Sequence, residues 1–315
     1  MYERILVPLD GSDASEAALV LVEHLVSKSV RLLRVEPNDL LLIPPSVTGV
    51  QPGWEDRFSA RVRGELELVA ERFRSGGRTV EVEVRSGDPA EEIIASAEDA
   101  DLVVMTTHGR GAAGRLIFGS TADRVARHGT TPTLLIRRGA DANGPVTPAR
   151  VVVPLDGSEL AERALSQAEK LAVILNVPMH LVRAVGADDV LATVHGDVAG
   201  TSADPSRQDD AYERARLETE RQAVEYLEDR AKGPRDSGLA TEIELLKGTP
   251  AFVLLWMIQP DDVVVMTTHG LGGYRRWMIG SVAEKLVREA AGPVLLVRDG
   301  AGSARESTSE PPSGG

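Results

Sequence analysis

The residues best suited to chemistry occur in two copies. Val103-Val104-Met105-Thr106-Thr107-His108-Gly109 is followed, after nine residues, by Gly119-Ser120. Val264-Val265-Met266-Thr267-Thr268-His269-Gly270 is followed at the same spacing by Gly280-Ser281. Each copy reads as a buried strand, a glycine-containing loop and a serine opening a helix. At the carboxyl end of a parallel strand, the exposed N–H groups and dipole of the next helix favour an anion, so this pattern suits a nucleotide phosphate. Gly109, Gly119, Gly270 and Gly280 permit close backbone approach and positive φ. Ser120 and Ser281 can donate to phosphate or serve as ordinary N-caps.

A second duplicated run, Val7-Pro8-Leu9-Asp10-Gly11-Ser12 and Val153-Pro154-Leu155-Asp156-Gly157-Ser158, ends a strand in an acid. Asp10 and Asp156 then lie beside the end of the Met-Thr-Thr strand. A carboxylate there can accept from ribose hydroxyls or hold a metal on phosphates; it can equally cap the N–H groups of its own turn. His108 and His269 are equivalent, but no repeated acid adjoins them to orient the ring, which points to structural hydrogen bonding rather than acid–base work. Arg110, Arg115, Arg275 and Arg276 can clamp phosphate but do not match in position. Trp54, Trp256 and Trp277 are scattered, which suits packing or loop anchors better than a base-stacking set. No Walker-type phosphate loop is present, and the G-x-G-x-x-G of Gly109 to Gly114 does not recur.

The elements that must position these residues follow from the surrounding pattern. Ile5–Asp10 reads as a first buried strand, and Asp13 with Glu16 as a capping box. Ala14, Ala18, Leu21 and Leu25 form one helical face. Strands follow at Val30–Val35, Thr79–Val84 and Asp101–Thr106, with a charged helix over Arg57–Arg74. A helix after Gly87-Asp88-Pro89 is capped by Asp88. Thr131–Ile136 closes the unit. The order β-α-β-α-β-α-β-α-β predicts an α/β fold of two tandem doubly wound, parallel five-stranded sheets with flanking helices, a Rossmann-like class. Residues 36–55, with four prolines and two glycines, read as a long functional or mobile loop. The domains are predicted at 1–138 and 150–299, with a linker at 139–149 and a disordered tail at 300–315. The repeats are offset by 146 residues at Asp-Gly-Ser and by 161 at Thr-His-Gly, so the second half carries 15 extra residues. Their expected home is the 186–210 stretch with a turn at 232–238.

Composition bounds the rest. The 315 residues are 42% apolar and 26% charged, ordinary for a soluble globular chain. There are no cysteines, which removes disulfides, zinc-thiolate sites and thiol nucleophiles. A net charge of −13 lacks the cationic footprint of a nucleic-acid binder. No apolar run reaches the length of a membrane span, and no signal-peptide order precedes Ile5-Leu6-Val7, so the expected compartment is the cytoplasm.

Together these motifs resemble tandem universal stress proteins, over residues 1–138 and 150–299. The resemblance rests on the Val-Pro-Leu-Asp-Gly-Ser strand end, the Gly-Asp-Pro helix start and the Thr-His-Gly…Gly-Ser loop before a Pro-x-Leu-Leu strand. ATP-binding members carry a G-x2-G-x9-G-[S/T] loop. Gly109, Gly119 and Ser120, like Gly270, Gly280 and Ser281, match three of its four points; Thr106 and Thr267 stand at the first. The resemblance implies a nucleotide site of Pro8, Asp10, Val35, Met105, Thr106, Gly109, Gly119, Ser120 and Thr121. It implies a second of Pro154, Asp156, Ala184, Met266, Thr267, Gly270, Gly280, Ser281 and Val282. The implied ligand is ATP, with Mg²⁺ held by its phosphates. The expected role is stress signalling through nucleotide-dependent association, with at most slow ATP hydrolysis; the alternative is a dimeric scaffold that binds no nucleotide. Family members commonly pair through strand 5, which implies a homodimer or an internal pseudo-dimer of 131–137 with 293–298.

Overall fold

The structure, a computed structural model, describes residues 1–36, 54–75, 77–107, 119–137, 147–197, 205–268 and 279–298. The 37–53 loop, the Thr-His-Gly loop centres (108–118 and 269–278), most of the linker and the tail lie outside the described residues.

The first half runs β1 (Tyr2–Pro8), α1 (Asp13–His24), β2 (Ser27–Glu36), α2 (Trp54–Arg74), β3 (Thr79–Ser86), α3 (Pro89–Ser96), β4 (Leu102–Thr106), α4 (Ser120–His128) and β5 (Thr133–Ile136). The second runs β6 (Arg150–Pro154), α5 (Glu159–Glu162), α6 (Ala164–Leu175), β7 (Met179–Val185), α7 (Ala187–Asp197), α8 (Pro205–Asp236), β8 (Thr241–Lys247), α9 (Pro250–Met257), β9 (Asp262–Thr267), α10 (Ser281–Glu289) and β10 (Val294–Val297). The two five-stranded sheets join edge to edge into one of ten strands, ordered β3-β2-β1-β4-β5-β10-β9-β6-β7-β8. Pairing is parallel within each half. At the seam it is antiparallel, with Leu134 opposite Leu295 and Leu135 opposite Val294.

The central strands are apolar without alternation because helices cover both faces. Ile5, Val7, Val104, Leu134 and Leu295 belong to one core, which also holds Ala18 and Val22 of α1 and Ala168 and Leu171 of α6. Leu6, Val103, Met105, Leu135 and Leu296 point to the other face and pack with Ala122 and Val125 of α4 and Leu286 of α10. Both cores run through the seam. Among the described residues, no helix is long and apolar enough to cross a membrane.

Several local expectations change. The cap of α1 is Ser12 rather than Asp13: its side chain accepts from Ser15 N–H. The 186–210 stretch, expected to hold extra residues of the second half, begins with a helix. It forms α7, whose Val190 packs with Val185, Ala215 and Ala223, and Thr193 meets Thr219 of α8 at 2.9 Å. The turn placed at 232–238 is still helical to Asp236, with Pro234 inside α8. Asp88 does cap α3, accepting from Ala90 and Glu91 N–H at 3.0 Å each. Trp256 is not a packing or loop residue: it stands 84% exposed on α9 beside the 67% exposed Phe252. Trp277 lies outside the described residues, and Trp54 begins α2.

Candidate functional site

In each half the strand order reverses between the first and fourth strands. The neighbours are β1 and β4 in one half and β6 and β9 in the other. Their connections leave to opposite sides, opening a crevice at the carboxyl ends. Pro8 and Pro154 end the first strand of each half, and Asp10 and Asp156 follow it. Met105 and Met266 are buried on the α4/α10 face, and Val35 packs against the same core. Asp10, Val35, Asp156 and Ala184 are half-buried, as befits a crevice lip.

Both aspartates tie their own loop. Asp10 Oδ1 accepts from Ser12 N–H at 2.9 Å and from Ser12 Oγ at 2.6 Å. Asp156 Oδ1 does the same with Ser158 at 3.0 and 2.6 Å. The turn-capping role is therefore present in both copies. Gly11 and Gly157 have φ of +75° and +87°, the left-handed region that a glycine enters without strain.

The loop base is closed by a backbone bond from Gly119 N–H to Thr107 C=O at 2.8 Å, repeated from Gly280 to Thr268 at 2.6 Å. Gly119 and Gly280 are the N-caps of α4 and α10, with φ of −63° and −61°. The positive φ that glycine permits is not used at these two positions. Ser120 and Ser281 are the first helical residues rather than caps, both exposed, and among the described residues neither helix has a side-chain cap. The first helical bonds run from Asp123 to Gly119 and from Glu284 to Gly280. The amides before them point out of the helix at its positive end. Thr121 and Val282 are half-buried just inside that end. Gly109, Gly270, His108, His269 and the loop arginines lie outside the described residues.

Thr106 and Thr267 are buried strand ends. Strand alternation puts Thr106 on the α1 face with Val104, opposite Met105. Its β-branch therefore packs away from the methionine side of the crevice.

The sequence reading missed Arg34 and Arg183, which lie under the two Asp-Gly-Ser loops. Arg34 is buried and bonds Glu36 at 2.8 Å. A Cβ on Gly11 would stand 2.2 Å from Arg34 Nη1; on Gly157 it would stand 3.2 Å from the nearest Arg183 atoms. Arg183 also lies 5.1 Å from the Tyr226 ring centre, and Tyr226 donates to Glu162 at 3.0 Å. Burial and the bond to Glu162 push the Tyr226 pKa well up. The available signal was the arginine repeated in Leu32-Leu33-Arg34-Val35 and Leu181-Val182-Arg183-Ala184. We expect Gly157→Ala to cost about 1 kcal/mol for the left-handed φ. Gly11→Ala should cost about 2 kcal/mol, because Arg34 must also move. Urea unfolding of both variants checks the ranking, and equal costs would contradict the Arg34 contact.

Comparison with known proteins adds the family. The model of the universal stress protein family matches residues 1–137 and again 148–298. The chain belongs to the universal stress protein family. A universal stress protein of Mycolicibacterium smegmatis is 26% identical over 93% of this chain and 96% of its own. One of Thermus aquaticus is 34% identical over 44% of this chain and all of its own length. Among solved structures, a universal stress protein of Archaeoglobus fulgidus superposes with a TM-score of 0.62 at 19% identity, covering 94% of this chain and 96% of that one. At that identity the likeness speaks for the fold. The paired matches agree with a tandem universal stress protein.

Proposed function

We propose that this universal stress protein binds ATP at one or both crevices, with Mg²⁺ carried on the phosphates, and signals through nucleotide-dependent association. The observation that carries this reading is the repeated helix start. In each half a backbone bond at the loop base sets, at the switch point beside the Asp10 or Asp156 loop, a helix N-terminus that has glycine at its cap and no side-chain cap among the described residues. Outward amides at a positive helix end fit phosphate, and the half-buried Val35 and Ala184 leave an apolar lip for a base or sugar. The repeated groups are hydrogen-bond donors and acceptors, which suits a binding protein rather than a catalyst.

The scaffold reading draws on Thr106 and Thr267, which stand where ATP-binding members carry glycine. The orientation of Thr106 toward α1 weighs against it. Because β5 and β10 are paired with each other, the sheet edges among the described residues are β3 and β8. These carry Glu81, Glu83 and Arg85, and Glu242, Glu244 and Lys247, charges that discourage edge-to-edge pairing. Association of whole chains is then expected through helical faces or loops. Sedimentation velocity with and without Mg-ATP tests the association. A nucleotide-dependent shift absent from Gly119→Ala/Gly280→Ala is expected, and identical distributions with and without Mg-ATP would contradict it.

A further inference from the structure

The seam between the halves carries a reciprocal pair of arginine contacts. Arg137, directly after β5, donates from Nε to the carbonyl of Ala290 at 3.1 Å. Ala290 is the C-cap of α10 in the other half. Arg298, directly after β10, donates from Nη1 to the carbonyl of Gly129 at 3.0 Å and also to that of Arg127. Gly129 is the C-cap of α4 in the first half. The contacts sit 153 and 169–171 residues apart in sequence, so they are made across the seam rather than within a repeat. Arg127, paired with Asp123 at 2.9 Å, also feels the charge of Glu284 on α10 across the same seam.

Each of these helices is short, nine residues, or roughly 13 Å. Its amino end is set by its own half, through Gly119–Thr107 or Gly280–Thr268. Its carboxyl end is held by a guanidinium from the opposite half. A cation at the negative end of a helix satisfies carbonyls that lack intrahelical partners and stabilises the dipole whose positive end faces the crevice. Burial lowers the Arg298 pKa, as expected for a guanidinium inside the seam rather than on the surface.

We propose that Arg137 and Arg298 are positioning residues that couple the two crevices, each fixing from one half the crevice-facing helix of the other. The proposal rests on the phosphate-binding reading of those helices for its effect on ligand, but not for the contacts themselves. A shift of α4 on loading the first crevice is transmitted to Arg298, hence to β10 and the strand beside it, β9, whose end forms the second crevice. The reverse route runs from α10 through Arg137 and β5 to β4. The coupling is uneven: Arg298 grips two carbonyls and Arg137 one.

The test uses the full chain in two arms. In the first, hydrogen exchange without nucleotide is compared for wild type, Arg298→Ala and Arg137→Ala. Arg298→Ala should speed exchange in 123–129 and spare 284–290, with the opposite for Arg137→Ala. In the second, Mg-ATP is titrated into Arg298→Ala on a Gly280→Ala background, which isolates the first crevice, and on a Gly119→Ala background, which isolates the second. Affinity should fall about five-fold in the first and change little in the second. Arg298→Lys, which keeps the cation and a donor, should recover part of the loss. Equal losses on both backgrounds, or unchanged exchange in the opposite half, would overturn the proposal. If wild type takes up no nucleotide, the ATP reading falls and the exchange arm alone decides whether the arginines position the opposite helix.

Discussion

Gly292→Ala should destabilise the protein by about 3 kcal/mol, at the upper end of the overpacking range. Gly292 lies between α10 and β10, where a Cβ would stand 2.1 Å from the carbonyl oxygen of Asp262 and 2.8 Å from that of Gln259. Both obstacles are backbone, so no rotamer change relieves them. They are also fixed in place: Asp262 N–H bonds Gln259 C=O at 3.1 Å, and Val264 N–H bonds Pro293 C=O at 2.9 Å. Accommodating a methyl means separating β9 from β10 at the start of the strand that feeds the second crevice. The equivalent position in the first half is Thr131, whose side chain is buried and donates to Ala97 C=O at 2.7 Å. The same turn therefore accepts a β-branched residue in one half and rejects a methyl in the other. Urea unfolding checks this; a midpoint within error of wild type would show that the turn relaxes freely.

Asp262→Ala should cost a similar amount, about 3 kcal/mol. Asp262 opens β9 with its side chain 2% exposed, and Arg150 grips it with both arms, Nε to Oδ1 at 2.7 Å and Nη2 to Oδ2 at 3.1 Å. Oδ2 also accepts from Gln259 N–H at 2.8 Å. Arg150 Nη1 reaches His180 Nδ1 at 2.8 Å. Since arginine only donates, Nδ1 accepts and the proton sits on Nε2, facing Glu244 at 3.3 Å. Burial, with the neighbouring Arg150 charge, pulls the His180 pKa below its usual 6.5. The neutral ring's contribution to stability is complete above 6.5 and is lost as pH falls through the depressed value. Truncating Asp262 leaves the guanidinium beside a buried imidazole with its carboxylate gone and Gln259 N–H without that acceptor. Asp262→Asn, which keeps an acceptor, should cost about half as much. A loss below about 1 kcal/mol for Asp262→Ala would show that solvent compensates Arg150.

The features legible in the sequence share a physical origin: they are local or repeated. Runs such as Ile5-Leu6-Val7 and Val263-Val264-Val265 announce strands covered on both faces. Asp88 before Pro89 specifies its own cap through bonds two and three residues ahead. The two Asp-Gly-Ser runs place the first-strand ends, and the Thr-His-Gly runs the fourth. What stayed hidden depends on tertiary neighbours. Nothing in Arg137 or Arg298 announces a partner more than 150 residues away. Arg34 recurs as Arg183 in the second half, but Gly11 resting against Arg34 is visible only in three dimensions. The repeat offset pointed to 186–210 as the home of extra residues but not to their structure, in which apolar Val190 seats a helix against α8. At Ser12 and Asp13, two cap-forming residues stood side by side, and the one whose hydroxyl reaches Ser15 N–H became the cap. Gly119 and Gly280 needed no positive φ, so any requirement for glycine there concerns approach to the backbone rather than its conformation.

Calorimetric titration of the full chain with ATP and Mg²⁺, beside Gly119→Ala/Gly280→Ala, tests the central claim most directly. Both glycines have ordinary negative φ, so alanine imposes no left-handed backbone strain at either position. Micromolar binding at one or two sites per chain, lost in the double variant, is the predicted result. No heat at millimolar ATP, with no nucleotide retained through purification, would contradict it and leave the dimeric scaffold as the function.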